Sequence, residues 1–461
     1  MPTEERANAA IAQAEAPRAG TPAGPLAGKK MLFVAPDDYP AFRVDLIELF
    51  SRHLVGRGLA VDWSLYRADE GEGGIVERGA ERYFLPDRKP GGIVRKIRNR
   101  LSTGRLRLGL VAAAARGEYD IVQVRDYTFW GIPFLIAARI AKRPFVFWMS
   151  YPVMEARWLL ATKPFRPVSL PGRIARLLHA GAGKLVFYRF LRFADHVVVQ
   201  SKRMKELLED EGIEAARMTP VEMGVTTERF NPDLIEPADD ARLKGRRVIG
   251  YINSEFHGEP FDVSLEALAH ARAAGHDAVM VAIGTLADHY RETMAQRLAA
   301  LGIPEDAFIC TGRLPLPQAL SYIKAADVCI SPFMMNREQE VATPTKLVEY
   351  LAMGRPVVGS VHYDQNEVLS SSGAGLIAAF DGPATGEAIA RLLADREWAE
   401  EMGARGPAWV KANRDYARIA DRVESLFASL LRKAPATETR VDTRAGPHVR
   451  PLAEPSRHPA E

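Results

Sequence analysis

Short runs of β-branched and aromatic residues recur along the chain, each followed by a stretch of helical spacing, and the series starts twice. This alternation constrains the fold most, because strands separated by helices pair in parallel and are covered on both faces. The first series opens on Met31-Leu32-Phe33-Val34-Ala35, with a loop at 36–40, a helix over 43–58 and a strand over 61–66. Strands at 119–124, 144–149 and 195–200 follow, with a helix over 129–142. The second opens on Val248-Ile249-Gly250-Tyr251-Ile252, with a loop at 253–258, a helix over 262–274 and a strand over 278–284. It continues with strands at 308–314 and 327–333, a helix over 318–326, and amphipathic helices over 383–395, 396–410 and 416–431. Each series suits a doubly wound sheet, in which ligands lie at the carboxyl ends of the strands.

A chain of 461 residues, 47% hydrophobic and 26% charged, is globular and long enough for two such domains. Residues 1–28 and 433–461 are poor in large apolar side chains and read as disordered tails. The domains are expected at 29–222 and 247–414, with a linker at 223–246 and a last helix at 415–432. A formal charge of +3 is too mild to imply nucleic acid, and no nucleic-acid-binding signature accompanies it. Cys310 and Cys329 lack metal-ligand spacing and read as buried reduced thiols, which points to the cytoplasm. No apolar run reaches membrane-spanning length, and the N-terminus lacks a signal-peptide core.

The most informative stretch is T-P-T-K-L-V-E-Y-L-A-M-G-R-P-V-V-G-S, from Thr343 to Ser360. Thr343 is placed to cap a helix, Pro344 suits its first turn, and Leu347, Val348, Leu351 and Ala352 supply an apolar face. Gly354 stops the helix, Pro356 forbids its return, and Val357-Val358-Gly359-Ser360 reads as an interior strand. Lys346 lies in the first turn, where the helix dipole disfavours a cation unless an anion sits there. Glu349 lies one turn on, inside an apolar face. The plain alternative is a surface Lys/Glu pair worth a few tenths of a kcal/mol.

This stretch resembles the nucleotide-sugar-binding helix of retaining glycosyltransferases of the GT-B fold, most closely glycosyltransferase family 4. Gly250, Gly284, Thr311-Gly312 and Ser331-Pro332 precede it in the family's order. The resemblance implies an α/β chain of GT-B architecture, two Rossmann-like doubly wound domains facing a central cleft. The first domain would bind the acceptor and the second the nucleotide sugar, with the last helix crossing back to the first. The activity implied is transfer of a hexosyl-type sugar from a nucleotide-diphosphate sugar to a glycan or lipid-linked acceptor, with retention, as in polysaccharide and cell-envelope synthesis. The nucleotide sugar is a co-substrate, and no cofactor or metal is implied; no aspartate-rich metal motif is visible.

By this resemblance Glu349 meets the donor ribose, and Thr343, Thr345, Lys346 and Leu347 face its diphosphate. Gly250, Asn253, Ser254, His257, Gly284 and Arg313 complete the donor-binding set. There are departures from the family. Asp37, Asp38 and Arg43 stand where relatives often have a glycine-rich loop, and Tyr251 and His257 stand where many carry an Arg and a Lys. Met223 replaces the Asn of the interdomain turn. Val341 holds the place of a second Glu, with Glu338 and Glu340 near it, and Glu340 and Ser150 are the catalytic candidates. Ser150 takes the place of a strand-end histidine whose acid/base work a serine cannot do. In this family the donor phosphate is usually argued to act as base, so activity need not be lost. The alternative reading is a catalytically degenerate GT-B scaffold or regulatory partner. A dinucleotide oxidoreductase is disfavoured, since no G-x-G-x-x-G follows any strand.

Two stretches without acidic residues remain. Residues 88–116 mix Arg88, Arg95, Arg100 and Arg107 with Ile93, Ile97 and Leu101. Residues 156–194 mix Arg157, Lys163, Arg166, Arg173 and Arg176 with Trp158, Phe165 and Leu178. Arg157, Trp158, Arg173 and Arg176 are candidates for an acceptor or membrane surface at the inner face of the plasma membrane. A solvated basic face over core residues is the plain alternative.

Overall fold

The computed structural model describes residues 24–41, 43–127, 129–162, 170–336 and 339–433. Most of the two tails, together with Lys163, Phe165, Arg166 and Glu338, lies outside the described residues. Residues 24–28 are not the disordered segment expected. Leu26 is fully buried, and the Gly24 and Gly28 amides donate to the carbonyls of Arg57 and Gly58. Lys433 closes the last helix.

The chain divides into two compact units. One comprises the described residues up to Gln200, Met204–Val221 and the chain from Ile419; the other comprises Ser201–Arg203 and Glu222–Arg418. The linker expected at 223–246 therefore belongs wholly to the second unit, and the last helix, Tyr416–Lys433, changes unit within its first turn.

In the first unit the strands are β1 (Lys30–Tyr39), β2 (Ala60–Arg67), β3 (Gly74–Arg78), β4 (Glu81–Leu85), β5 (Ile121–Arg125), β6 (Phe145–Met149), β7 (His196–Val199) and β8 (Met218–Pro220). They lie in the order β3-β4-β2-β1-β5-β6-β7-β8, parallel except where β3 meets β4. The winding reverses between β1 and β5, which flank each other at the centre. Its helices are α1 (Asp45–Leu54), α2 (Ile93–Ala115), α3 (Gly131–Ala141), α4 (Val153–Thr162), α5 (Leu170–Leu191) and α6 (Lys202–Asp210), the last beginning in the short segment of the second unit. One expectation is corrected. β1 runs on to Tyr39 after a register shift between Val34 and Asp38, so Asp37 and Asp38 sit on a strand end and not in a loop. The helix expected over 43–58 is present, with hydrogen bonding of the π type over Asp45–Leu54 and a 3-10 turn over Val55–Arg57. Phe33, Phe50 and Trp63 pack beneath it, with Phe33 ring centroids 4.8 Å and 4.7 Å from the other two.

In the second unit the strands are β9 (Arg247–Phe256), β10 (Ala278–Leu286), β11 (Phe308–Gly312), β12 (Val328–Ser331), β13 (Val357–Ser360) and β14 (Gly375–Ala378). All are parallel, in the order β11-β10-β9-β12-β13-β14, so the reversal falls between β9 and β12. The helices are α7 (Gly258–Ala273), α8 (Asp288–Ala300), α9 (Leu316–Ala325), α10 (Thr345–Ala352), α11 (Tyr363–Ser372), α12 (Gly382–Ala394), α13 (Arg396–Ala404) and α14 (Gly406–Asn413); α15 (Tyr416–Lys433) starts in this unit and belongs to the first from Ile419 on. Two buried apolar clusters, one around Ile249, Leu268 and Ile389 and one around Val281, Leu347 and Leu351, hold this sheet between its helices. Cys329 lies fully buried, and burial pushes its thiol up to about 12; Cys310 is only half-buried and donates to the Gly284 carbonyl at 3.2 Å. Among the described residues no helix is long and apolar enough to cross a membrane.

Candidate functional site

In the second unit α10 begins beside the point where the winding of the sheet reverses, the position at which open α/β sheets hold ligands. Its sequence fixes it firmly. Leu347, Val348, Tyr350, Leu351 and Ala352 are buried, and the Tyr350 hydroxyl accepts from the Ile252 amide at 2.8 Å, tying the helix to β9. Gly354, at φ +68, ends the helix. The start differs from the expected one. Pro344 is the capping residue and offers no side-chain hydrogen bond, while the Thr343 hydroxyl accepts from the Met223 amide at 3.2 Å. The first amides of α10, at Thr345 and Lys346, therefore lack a side-chain cap and present the positive end of the helix.

Lys346 and Glu349 stand one turn apart on this helix, both half-buried. The Lys346 ammonium lies 5.0 Å from the Tyr251 ring centroid. Burial lowers the Lys346 pKa to about 8, against the pull of Glu349. Burial likewise pushes the Glu349 carboxyl up to about 7, against the pull of Lys346. Neither joins an ion pair among the described residues. Each is thus shifted toward its uncharged form, as expected of charges held out of water without full compensation.

The segment 253–256 is the end of β9 rather than the loop expected. After an irregularity its Glu255 and Phe256 pair with Thr285 and Leu286 of β10. Asn253 and Ser254 lie here: the Asn253 side chain bridges to the Ser254 amide and the Glu255 carbonyl, and Ser254 is exposed. Gly284 permits the crossing. A Cβ there would lie 1.8 Å from the Asn253 carbonyl oxygen, and its φ of +146 disfavours any side chain. His257 precedes α7, exposed and making no capping bond. Gly250 has a different place from the one expected: it is buried within β9, where a Cβ would press on Ala326 and Cys329 at 3.0 Å and 3.1 Å. Its lack of a side chain serves sheet packing. Arg313 is exposed just past β11, Thr345 is half-buried and Leu347 is fully buried in the core. Glu340 faces Arg203, with 3.4 Å between carboxylate and guanidinium, and the neighbouring Val341 carbonyl accepts from Ser201 at 2.7 Å.

In the first unit Ser150 sits at the end of β6 within a buried charge network. Its amide donates to Asp126 at 2.8 Å, its hydroxyl donates to the other oxygen of the same carboxylate, and Arg125 Nε donates to the hydroxyl at 3.2 Å. Arg125 is fully buried and ion-paired with Asp45 at 2.7 Å. Burial pulls the Asp45 carboxyl up, but Arg125 and Arg43 outweigh it and hold it below its ordinary value. Burial raises Asp37 above its ordinary value despite Arg125 and Arg43. Arg125 is not among the residues expected at a site; the signal for it in the sequence is an arginine closing the buried strand Ile121–Arg125. Arg157 and Trp158 are exposed on α4, and Arg173 and Arg176 are exposed on α5. Among the described residues no group of three or more His, Cys, Asp and Glu side chains is arranged to hold a metal ion.

The family model described as Glycosyltransferase Family 4 matches residues 46–229, and that described as Glycosyl transferases group 1 matches residues 246–395. No curated protein matches the chain in sequence. Among solved structures it is similar to sucrose-phosphate synthase from Thermosynechococcus elongatus, with 17% identity, 88% of this chain and 99% of that chain covered, and a TM-score of 0.63. It is similar to α,α-trehalose 6-phosphate synthase from Burkholderia multivorans, with 14% identity, 88% and 100% covered, and a TM-score of 0.62. A third is Anabaena HepE in complex with UDP, with 15% identity, 87% and 100% covered, and a TM-score of 0.59. The two models match the two α/β units in order, so the chain carries a Glycosyltransferase Family 4 domain followed by a Glycosyl transferases group 1 domain, on the pair of largely parallel α/β sheets typical of GT-B glycosyltransferases.

Proposed function

We propose that the protein transfers a hexosyl-type group from a nucleoside-diphosphate sugar to a hydroxyl of its acceptor with retention of configuration, and needs no protein-held metal to do so. The observation that carries this reading is the uncompensated Lys346–Glu349 pair beside the uncapped start of α10. A donor diphosphate at the helix start would be met by the Lys346 ammonium and the amides of Thr345 and Lys346. Ribose hydroxyls donating to Glu349 would favour its ionised form. Asn253, Ser254, His257 and Arg313 are the further groups available to the donor. The similarity to HepE in complexes with UDP and with UDP-glucose supports a nucleotide-sugar donor.

In the transfer itself the bond from the anomeric carbon to the diphosphate oxygen breaks, and the acceptor oxygen bonds to the same face of that carbon. The acceptor proton passes to the departing phosphate, whose developing charge Lys346 and the helix amides stabilise. This route asks no acid/base chemistry of Ser150. Glu340, held by Arg203, is the carboxylate closest in sequence to α10 and is proposed to orient the transferred sugar.

A glycan or lipid-linked acceptor would be taken by the first unit. Its α2 exposes Ile93, Val94, Ile97, Leu101 and Leu108 among arginines, and Trp158, Ile174 and Leu178 are exposed beside Arg157, Arg173 and Arg176. These faces support peripheral contact with an anionic inner-membrane surface. The test of the donor reading is calorimetric titration of the full chain with UDP, ADP, GDP and their sugars. Binding of one donor, weakened in Glu349→Ala, is expected. Absence of binding to every donor would favour the degenerate scaffold instead.

A further inference from the structure

A cavity of about 470 Å³ opens at the carboxyl ends of β1, β2 and β4 in the first unit. Asp38, Tyr66, Arg67, Pro86 and Asp87 come from the strand ends, and one face of α2 supplies Asn99, Arg100, Thr103, Gly104 and Arg107. Hydrogen bonds from Asn99 to the Lys89 backbone and from the Asp87 amide to Ser102 fix α2 against the tail of β4.

Arg107 is the unusual member. It is 1% exposed, yet no carboxylate pairs with it among the described residues. Its guanidinium lies 4.3 Å, 4.9 Å and 5.5 Å from the ring centroids of Tyr127, Tyr66 and Trp130, and it donates to both tyrosine hydroxyls. Its Nε has no partner. A buried cation held only by neutral rings and hydroxyls keeps much of its field free for an incoming anion. Exposed Arg100 and Arg88 line the same cavity, with Arg67 beside them. Two carboxylates also line it, and they divide its labour: Asp87 accepts from the Gly73 amide at 2.5 Å, while Asp38 sits across the opening at the end of β1.

We infer that this cavity binds an acceptor bearing a phosphate or carboxylate group, with Arg100 and Arg107 on the anion and Asp38 accepting from an acceptor hydroxyl. The inference rests on the glycosyl-transfer reading for the word acceptor, but the anion site itself stands on the arginines. Arginine is suited to this role because its planar fork meets phosphate oxygens two at a time.

The test uses the full chain, with a hexose phosphate and the corresponding free hexose as probes, and vesicles with and without phosphatidic acid as a second arm. Arg100→Gln removes an exposed charge. Gly104→Phe fills the opening from a position where an added Cβ meets nothing within 4 Å, so both variants should fold. The expected result is hexose phosphate bound about tenfold tighter than hexose, with each variant costing about fivefold and UDP affinity unchanged. Capture by phosphatidic-acid vesicles alone, abolished by Gly104→Phe, supports the same anion site with a lipid as its source. If neither phosphate-bearing probe binds, or if the variants leave binding unchanged, the inference is overturned even with UDP bound normally. Loss of UDP binding with hexose phosphate still bound refutes the donor reading while supporting the anion site.

Discussion

The two units place charged groups at the same point of their sheets, where the winding reverses, and treat them in opposite ways. In the first, Arg125 is buried among Asp45, Asp126 and Ser150: the two carboxylates balance its charge from within the protein and Nε bonds Ser150, although its two terminal nitrogens make no hydrogen bond among the described residues. In the second, among the described residues, Lys346 and Glu349 have each other's field, with the face of Tyr251 against Lys346, and no ion pair. A closed network contributes position and rigidity, whereas an open pair retains interaction energy for a ligand. The reversal point of a doubly wound sheet is therefore a place where a site can be built, and residue pairing decides whether it is vacant for substrate.

The largest effect should come from breaking the closed side. Arg125→Leu leaves buried Asp45 with Arg43 alone and half-buried Asp126 without its cation, and about 3–5 kcal/mol of stability should be lost, read as a lower denaturant midpoint. On the open side, Glu349→Ala should leave stability nearly unchanged or improved. It should nevertheless weaken nucleotide binding by about tenfold to a hundredfold in calorimetry, since hydrogen bonds to a charged group contribute about 1.5–3 kcal/mol. Loss of stability comparable to that of Arg125→Leu would show the pair to be structural instead.

A pH series sharpens the contrast. The folded-state pKa of Glu349 is raised from 4.5 to about 7, so its protonated form favours folding below pH 4.5 and that contribution fades as pH rises toward 7. With allowance for partial exposure, the chain should lose on the order of 2 kcal/mol over this window relative to Glu349→Gln, measured by urea unfolding. Lys346 works at the other end: its folded pKa is lowered from 10.5 to about 8, so UDP affinity should fall above about pH 8 as the ammonium loses its proton. An unaltered affinity across that range would remove Lys346 from the diphosphate. The smallest effect is expected of Ser150→Ala, which removes hydroxyl bonds to Asp126 and Arg125 for about 1 kcal/mol and should leave turnover within about tenfold. A far larger fall in turnover would make Ser150 catalytic.

The sequence carried the order of strands and helices, because apolar runs and breakers such as Gly354 and Pro356 are local signals. The GT-B architecture and the glycosyltransferase family expected from the 343–360 stretch are borne out by the sheets and the family models. Contacts distant along the chain escaped it. Thr343 was read as a cap because the hydroxyl suits one, but it is taken by the amide of Met223. Asn253, Ser254 and Glu255 are poor strand formers, and the strand extends through them only because β10 offers partners at Thr285 and Leu286. Nothing local announces that Arg125 meets Asp45, or that Arg107 is enclosed by a ring from β2 and two from the segment between β5 and α3.

The hydroxyl of Tyr350, which accepts from the Ile252 amide, has a consequence for how this protein can diversify. It welds the helix bearing Lys346 and Glu349 to the central strand, so that under the proposed function the floor beneath a nucleotide would be a single rigid casting. New donor preferences would then be written in side chains proposed to stand along the rim, such as those of Ser254, His257 and Arg313, while the backbone below them stays fixed.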